Sequence, residues 1–428
     1  MSSGQTRRLR VGRAYTKRTA PLYVPLIFWA TGATGMVAGL LDLDRVRRLL
    51  FSSAAATGPI LGAVHLLTLA GLTMVMMGAL YQLVPVLFNG SPVRVIRSVS
   101  QWALYTAGLV FFIWGLNGQS HGLVWIGSGA TGAGILYFLV NMGGLYQRRS
   151  TWNITAWFFT AALFYLALTV VMGGLLLLSG RTGIGSFAHE LSIHLVIALG
   201  GWFGLLVAGA SYRLWAMFGR KHREPRYWQA TWVLANLSIV VLVVGNLSMI
   251  PSLVDAGWIV ELGACGAYLA DMVPAGLIDR RTMQDGALRL LIPSMGFLWV
   301  WQILGSVALW DHQPTLWRPA ILAYGLGWVG MNFMGFSQKI VPFMVWLHRY
   351  AHVHGRGKMP RLKDIWPSKW TLVPFWAGTV GISLVIAGAG LSQPMLFQGG
   401  MALVVLAWLM LFVAGIRAVA GPHHLSDL

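Results

Sequence analysis

Long apolar runs, cut at short intervals by polar, Gly- or Pro-containing turns, dominate the chain from end to end. A membrane-spanning helix needs about 20 consecutive apolar residues, and such stretches occupy roughly 21–41, 58–88, 100–116, 121–145, 154–179 and 186–218 in the first half. The second half supplies 228–247, 257–277, 290–310, 319–347, 370–391 and 397–416. The pattern predicts an all-α polytopic membrane protein of about twelve transmembrane helices, organised as one membrane domain over 1–428 with a basic segment at 1–20.

Composition agrees with that reading: 57% of residues are hydrophobic and 10% charged. The net charge of +19 would suit nucleic acid. The basic residues, however, sit in alternate short loops rather than on a soluble face, so nucleic-acid binding is set aside in favour of the positive-inside rule. Both termini are then cytoplasmic, in an inner (plasma) membrane, with the run Arg7, Arg8, Arg10, Arg13, Lys17 and Arg18 as a topology anchor against anionic lipid. No convincing cleavage site follows, and the first span is expected to stay. The one cysteine, Cys265, lies within the eighth span, which excludes an intrachain disulfide and any cysteine-built metal framework. Loops are too short for a separate catalytic domain, so function must reside among the helices.

Three segments share a pattern: Gly71–Pro85 (GLTMVMMGALYQLVP), Trp202–Ala216 (WFGLLVAGASYRLWA) and Trp328–Pro342 (WVGMNFMGFSQKIVP). Anchored on Gly78, Gly209 and Gly335, they recur every four spans, so the second, sixth and tenth helices (58–88, 186–218 and 319–347) run in the same direction. Four residues beyond each anchor stands a polar side chain: Gln82, Arg213 and Lys339. These are expected at one depth near the cytoplasmic face, either snorkelling or serving a site.

Three groups of four helices, each with one special helix, is the layout of haem–copper oxidase subunit I. The segment YGLGWVGMNFMGFSQKIVP at Tyr324–Pro342, with GALYQLVP at Gly78–Pro85, resembles the tenth-helix pattern of that superfamily, nearest to C-type oxidases and nitric oxide reductases. The resemblance implies a pseudo-threefold bundle, a respiratory role in electron transfer, partner subunits of a respiratory complex and, if the chain is an enzyme, an oxidoreductase of cytochrome oxidase or nitric oxide reductase type.

Histidines decide which cofactor such a bundle would hold. Haem iron takes imidazole from facing helices, and copper takes a cluster of neutral imidazoles. His65 and His194 lie well inside the second and sixth spans and precede Gly78 and Gly209 by similar offsets, resembling the family's ligand positions. They are the candidate ligands of a b-type haem. The tenth-helix His-x-His positions are Ala320 and Leu322, and the seventh span has no histidine, so copper is not expected. His189 and Glu190, with Glu190 one helical turn before His194, are candidates for orienting that imidazole or relaying a proton. Glu261 and Asp271 lie on nearly one face of the eighth helix, about 15 Å apart along it. They are relay candidates, with pairing to Arg213 or Lys339 as the structural alternative. His121 ends the fourth span on the outside, and His348, His352, His354, His423 and His424 lie in a basic loop and a tail with no expected role. A transporter, or a structural subunit of a respiratory complex, remains the alternative function, although same-direction repeats fit the inverted repeats of many transporters poorly.

Overall fold

The computed structural model describes residues 20–52, 57–88, 93–146, 152–182, 186–218, 224–277, 285–350 and 360–421. The loop and tail histidines His352, His354, His423 and His424 and the N-terminal arginines lie outside these residues, as does the segment 219–223 of the basic loop. Every long element is helical. We label them α1 (Tyr23–Arg45), α2 (Gly58–Leu87), α3 (Val95–Asn117), α4 (His121–Tyr146) and α5 (Ile154–Thr182). Next comes α6, which runs from Phe187–Leu195 through Val196–Gly204 to Leu205–Phe218, followed by α7 (Trp228–Ser248), α8 (Pro251–Leu277) and α9 (Gly286–Trp310). The last three are α10 (Trp317–Leu322, Ala323–Gly330, Met331–Arg349), α11 (Leu372–Gly390) and α12 (Pro394–Ala420).

Eleven of these helices are long and apolar enough to cross a membrane. The remaining one, α10, is continuous but carries Asn332, Ser337, Gln338 and Lys339 in its second half, which lowers its apolar content. Outward faces are themselves apolar: Ile96 is 77% exposed, Val140 66% and Ile303 59%. Such a surface is stable only in lipid, where helices alone satisfy every backbone group internally. The chain is an all-α polytopic membrane protein.

The helices pack as two compact units. Unit 1 comprises Met1–Thr151, Phe333–Gly381 and Gln398–Leu428, and unit 2 comprises Trp152–Asn332 and Ile382–Phe397. In unit 1, α1 packs along α2, and α3 pairs with α4. In unit 2, α5 packs along α6, α7 pairs with α8, and α9 lies against the first half of α10.

The internal repeat is written into the backbone. In each of α2, α6 and α10 a π-helical segment, Leu66–Thr73, Val196–Gly204 and Ala323–Gly330 respectively, ends shortly before the anchor glycine. A π turn frees carbonyls from the ordinary helical ladder. Side chains take them up: Tyr105 donates to the Leu69 carbonyl at 3.0 Å, Tyr324 to the Leu199 carbonyl at 2.9 Å and Asn332 to the Trp328 carbonyl at 2.8 Å. The first two anchors also share a packing reason. A Cβ on Gly78 would lie 2.5 Å from Phe28 Cβ, and one on Gly209 would lie 2.5 Å from Phe158 Cβ. Small residues there let α1 reach α2 and α5 reach α6.

A second repeat joins the hairpins α3–α4, α7–α8 and α11–α12. Each first helix closes with the same wide turn: Ser120 N–H bonds the Gly115 carbonyl at 2.9 Å, Ile250 that of Gly245 at 3.0 Å, and Gln393 that of Gly388 at 2.8 Å. One turn residue in each, Gln119, Met249 and Ser392, is left-handed with φ of 52°, 55° and 52°. The three glycines also seat the returning helix. An added Cβ would lie 2.6 Å from Val124 N, 2.9 Å from Val254 N and 2.5 Å from Phe397 N respectively.

Candidate functional site

In unit 1, His65 is the last residue of the α-helical part of α2, immediately before the π segment. Its Nδ1–H donates to the Leu61 carbonyl at 2.7 Å, and its ring meets the Phe112 ring edge-on at a centroid distance of 5.1 Å. Donation from Nδ1 leaves the Nε2 lone pair pointing away from the helix, the tautomer of an imidazole ready to bind a metal. In unit 2, His194 lies near the corresponding junction of α6, separated from the π segment by Leu195, with Cε1 3.6 Å from where a Cβ on Gly173 would lie. His189 and Glu190 occupy the first turns of α6 and are half-buried. His348, by contrast, has Nδ1 and Nε2 each 2.9 Å from a backbone carbonyl, those of Met344 and Ala20, leaving neither nitrogen for a ligand.

The three polar residues beyond the anchors do not behave alike. Gln82 is fully buried, Lys339 half-buried and Arg213 exposed. The sixth-helix copy meets solvent or lipid headgroups where the second-helix copy faces protein, so equal spacing along the chain does not give equal environments.

The densest chemistry in unit 2 surrounds the two carboxylates of α8. Glu261 Oε2 accepts from Gln302 Nε2 at 2.9 Å, while Oε1 accepts from Trp301 Nε1 at 3.3 Å and from Cys265 Sγ at 3.5 Å. Gln302 Nε2 also lies 2.8 Å from Cys265 Sγ, and Trp301 sits in a ring cluster with Trp258, Trp317 and Tyr324. Asp271 accepts from the backbone N–H groups of Arg226 (2.8 Å) and Tyr227 (2.9 Å) and from the Tyr212 hydroxyl (3.3 Å). Neutral donors reach both carboxylates, and Asp271 secures the chain as it enters α7.

Glu261 lines a cavity of about 60 Å³ together with, among others, Thr231, Ser238, Cys265, Tyr268 and Tyr324. Thr231, Ser238, Tyr268 and Tyr324 were missed by the sequence reading. The signal for Thr231 was available: with Tyr212 it stands one repeat beyond Gln101 and Tyr81, which are hydrogen-bonded to each other in unit 1. Among the described residues, no group of three or more His, Cys, Asp or Glu side chains converges on a point that could hold a metal ion.

No family model matches the sequence, and no curated protein matches it. The structure does have a likeness. It superposes on a solved haem–copper terminal oxidase, a dimer studied by cryo-electron microscopy, with a TM-score of 0.61 over 96% of this chain and 84% of that one at 10% identity. The chain has the fold of a haem–copper terminal oxidase. At that identity the fold is shared while the side chains have largely diverged.

Proposed function

We propose that this chain is a divergent haem–copper oxidase subunit I-like protein that binds b-type haem and acts in respiratory electron transfer without a copper-containing oxygen-reducing centre. The observation that carries the reading is His65, whose Nδ1–H is held by the Leu61 carbonyl so that Nε2 can ligate. His65 in unit 1 and His194 in unit 2 are each proposed as a haem ligand. Bound haem would supply a one-electron carrier. The chain's own part is to fix the imidazoles: the Leu61 carbonyl sets the His65 tautomer, and the Phe112 edge restrains its ring. His189 and Glu190 are proposed to support His194, and Arg213 and Lys339 to meet the cytoplasmic interface.

The lack of copper chemistry rests on residue type. Alanine at 320, leucine at 322 and a seventh helix without histidine offer no imidazole cluster. Positive-inside asymmetry supports an inner (plasma) membrane location with cytoplasmic termini, and the resemblance supports partnership with other respiratory-complex subunits. The test is a reduced-minus-oxidised visible spectrum of the purified full-length protein. A b-type haem signal is expected, and a featureless difference spectrum after haem-replete expression would overturn the reading.

A further inference from the structure

We propose that unit 2 holds a binding site for a small organic ammonium cation, formed by the Glu261 carboxylate and the aromatic rings that wall the cavity beside it. The site uses neither His65 nor His194 and stands whether or not haem is bound.

The cavity is about 60 Å³ in volume, and most of its wall is apolar. At about 10–15 Å³ for each water-sized body, it has room for about four to six non-hydrogen atoms. Phe158 of α5, Tyr268 of α8, and Tyr324 and Trp328 of α10 contribute rings to the wall. Trp328 stands at 81° to Tyr268 with centroids 5.8 Å apart, and at 57° to Tyr324 with centroids 5.0 Å apart. Rings at such angles meet as adjoining walls and not as a flat stack. A glycine helps keep the space open, since a Cβ on Gly204 would lie 2.7 Å from the Tyr324 hydroxyl.

The hydrogen bonds around the cavity decide which charge it accepts. Its hydroxyl donors are already committed within the protein: Thr231 donates to the Tyr227 carbonyl at 3.1 Å and Ser238 to the Ala235 carbonyl at 3.0 Å. Tyr268 donates to Ser211 Oγ at 2.9 Å and Tyr324 to the Leu199 carbonyl at 2.9 Å. The Cys265 thiol faces Glu261 Oε1 at 3.5 Å. Of the side-chain donors in the wall, the Trp328 indole N–H alone has no acceptor. What the wall has left to offer is therefore mainly hydroxyl lone pairs, ring faces and a carboxylate.

Glu261 accepts from Gln302, Trp301 and Cys265, which leaves one of a carboxylate's roughly four lone-pair sites. Beside it, Gln302 is 2% exposed and its Oε1 has no partner. None of the groups facing Glu261, namely Cys265, Tyr268, Trp301, Gln302 and Tyr324, is a cation. An ionised carboxylate in a low-dielectric bundle needs a paired charge, and these neighbours do not provide it. A hard metal cation wants a shell of about six or more oxygens, which an apolar wall cannot supply. An alkylammonium ion instead places its charge over ring faces, its N–H on the free acceptors and its methyl groups against apolar surface.

The carboxylate is a feature of unit 2 and not of the shared fold. One repeat earlier, in α4, the positions of Glu261 and Cys265 are taken by Thr131 and Ile135, both buried and uncharged. The helices thus close around this position without an acid, and the acid is available for a ligand.

The test is isothermal titration of trimethylammonium chloride into the purified full-length protein in detergent at constant ionic strength. Saturable binding of one ion per chain is expected. Glu261→Gln, which keeps the shape and removes the charge, should weaken it about thirtyfold or more, the scale of losing one partner of a desolvated charge pair. Trp328→Phe should bind nearly as wild type, and Trp328→Leu about two- to thirtyfold more weakly, the range of a cation–π contact. Uncharged tert-butanol, of similar shape, should not compete. Absence of saturable binding, equal affinity in Glu261→Gln, equal affinity in the two Trp328 variants, competition by tert-butanol, or displacement by sodium ions would each overturn the proposal. A helical spectrum and thermal melt of Glu261→Gln matching wild type show that folding is intact. The visible spectrum of each sample reads haem content separately, so failure of this site and failure of the haem reading are distinguishable.

Discussion

Asn141 of α4 donates to the Tyr81 hydroxyl of α2 at 2.8 Å, and the same phenol lies 3.4 Å from Gln101 Oε1 of α3. Three helices of unit 1 are thus tied at one buried hydroxyl. Tyr81→Phe removes that hydroxyl, taking the partner of Gln101 Oε1 and leaving Asn141 Nδ2 only the Arg97 carbonyl at 3.4 Å, a loss of about 1–3 kcal/mol for buried polar groups. The expected outcome is a lower denaturation midpoint in mixed detergent with the helical content of the folded state unchanged. A midpoint equal to wild type would mean the tie contributes nothing.

The imidazoles differ in what they have left to offer. His65 keeps Nε2 for a ligand, whereas both nitrogens of His348 face carbonyls. His65→Ala and His194→Ala are each expected to remove the haem signal or to convert it from six- to five-coordinate, and His348→Ala to do neither. An unchanged spectrum in both buried variants would remove these residues from the site.

Met249 holds a left-handed turn, with φ of 55°, between α7 and α8. A non-glycine side chain there costs about 1–2 kcal/mol, so Met249→Gly should raise stability by a large part of that, offset by the greater freedom of glycine in the unfolded chain. Met249→Val, with a branched Cβ, should lower it. Thermal melts in detergent of the two variants decide the sign.

A pH effect is expected at the short helix Leu362–Ile365, outside the spans. The Arg361 backbone N–H donates to Asp364 Oδ2 at 2.8 Å and the Arg361 guanidinium lies 3.3 Å away, holding this carboxyl below its usual range. A depressed value means the stabilisation is fully present above the ordinary aspartate value of about 3.9 and is lost as pH falls through the lower folded value. Amide exchange at Asp364–Trp366 should accelerate over that acidic window and not in Asp364→Asn. Parallel behaviour of the two proteins would show that the cap does not titrate.

Much of the fold was legible in the order of residues because membrane burial is a local demand. A run of about 20 apolar residues must become a helix wherever it lies in the chain, since lipid offers no partner for a backbone N–H. The anchors Gly78 and Gly209 were legible for a related reason: a close helix approach needs a small residue at one height, and repetition exposes it. The glycines that seat the hairpins, Gly115, Gly245 and Gly388, carried the same kind of signal at less even spacing. Side-chain partners were not legible. Glu261 and Asp271 looked alike as acids on one helix face, yet Glu261 meets an indole, an amide and a thiol from α8 and α9 while Asp271 meets the backbone entering α7. Likewise Gln82, Arg213 and Lys339 share a spacing but not an environment. The linear pattern determined which segments enter the membrane and how they repeat. Only tertiary packing decided which polar groups meet, because hydrogen bonds act over about 3 Å and the helices that supply both ends are separated by loops whose length carries no such information.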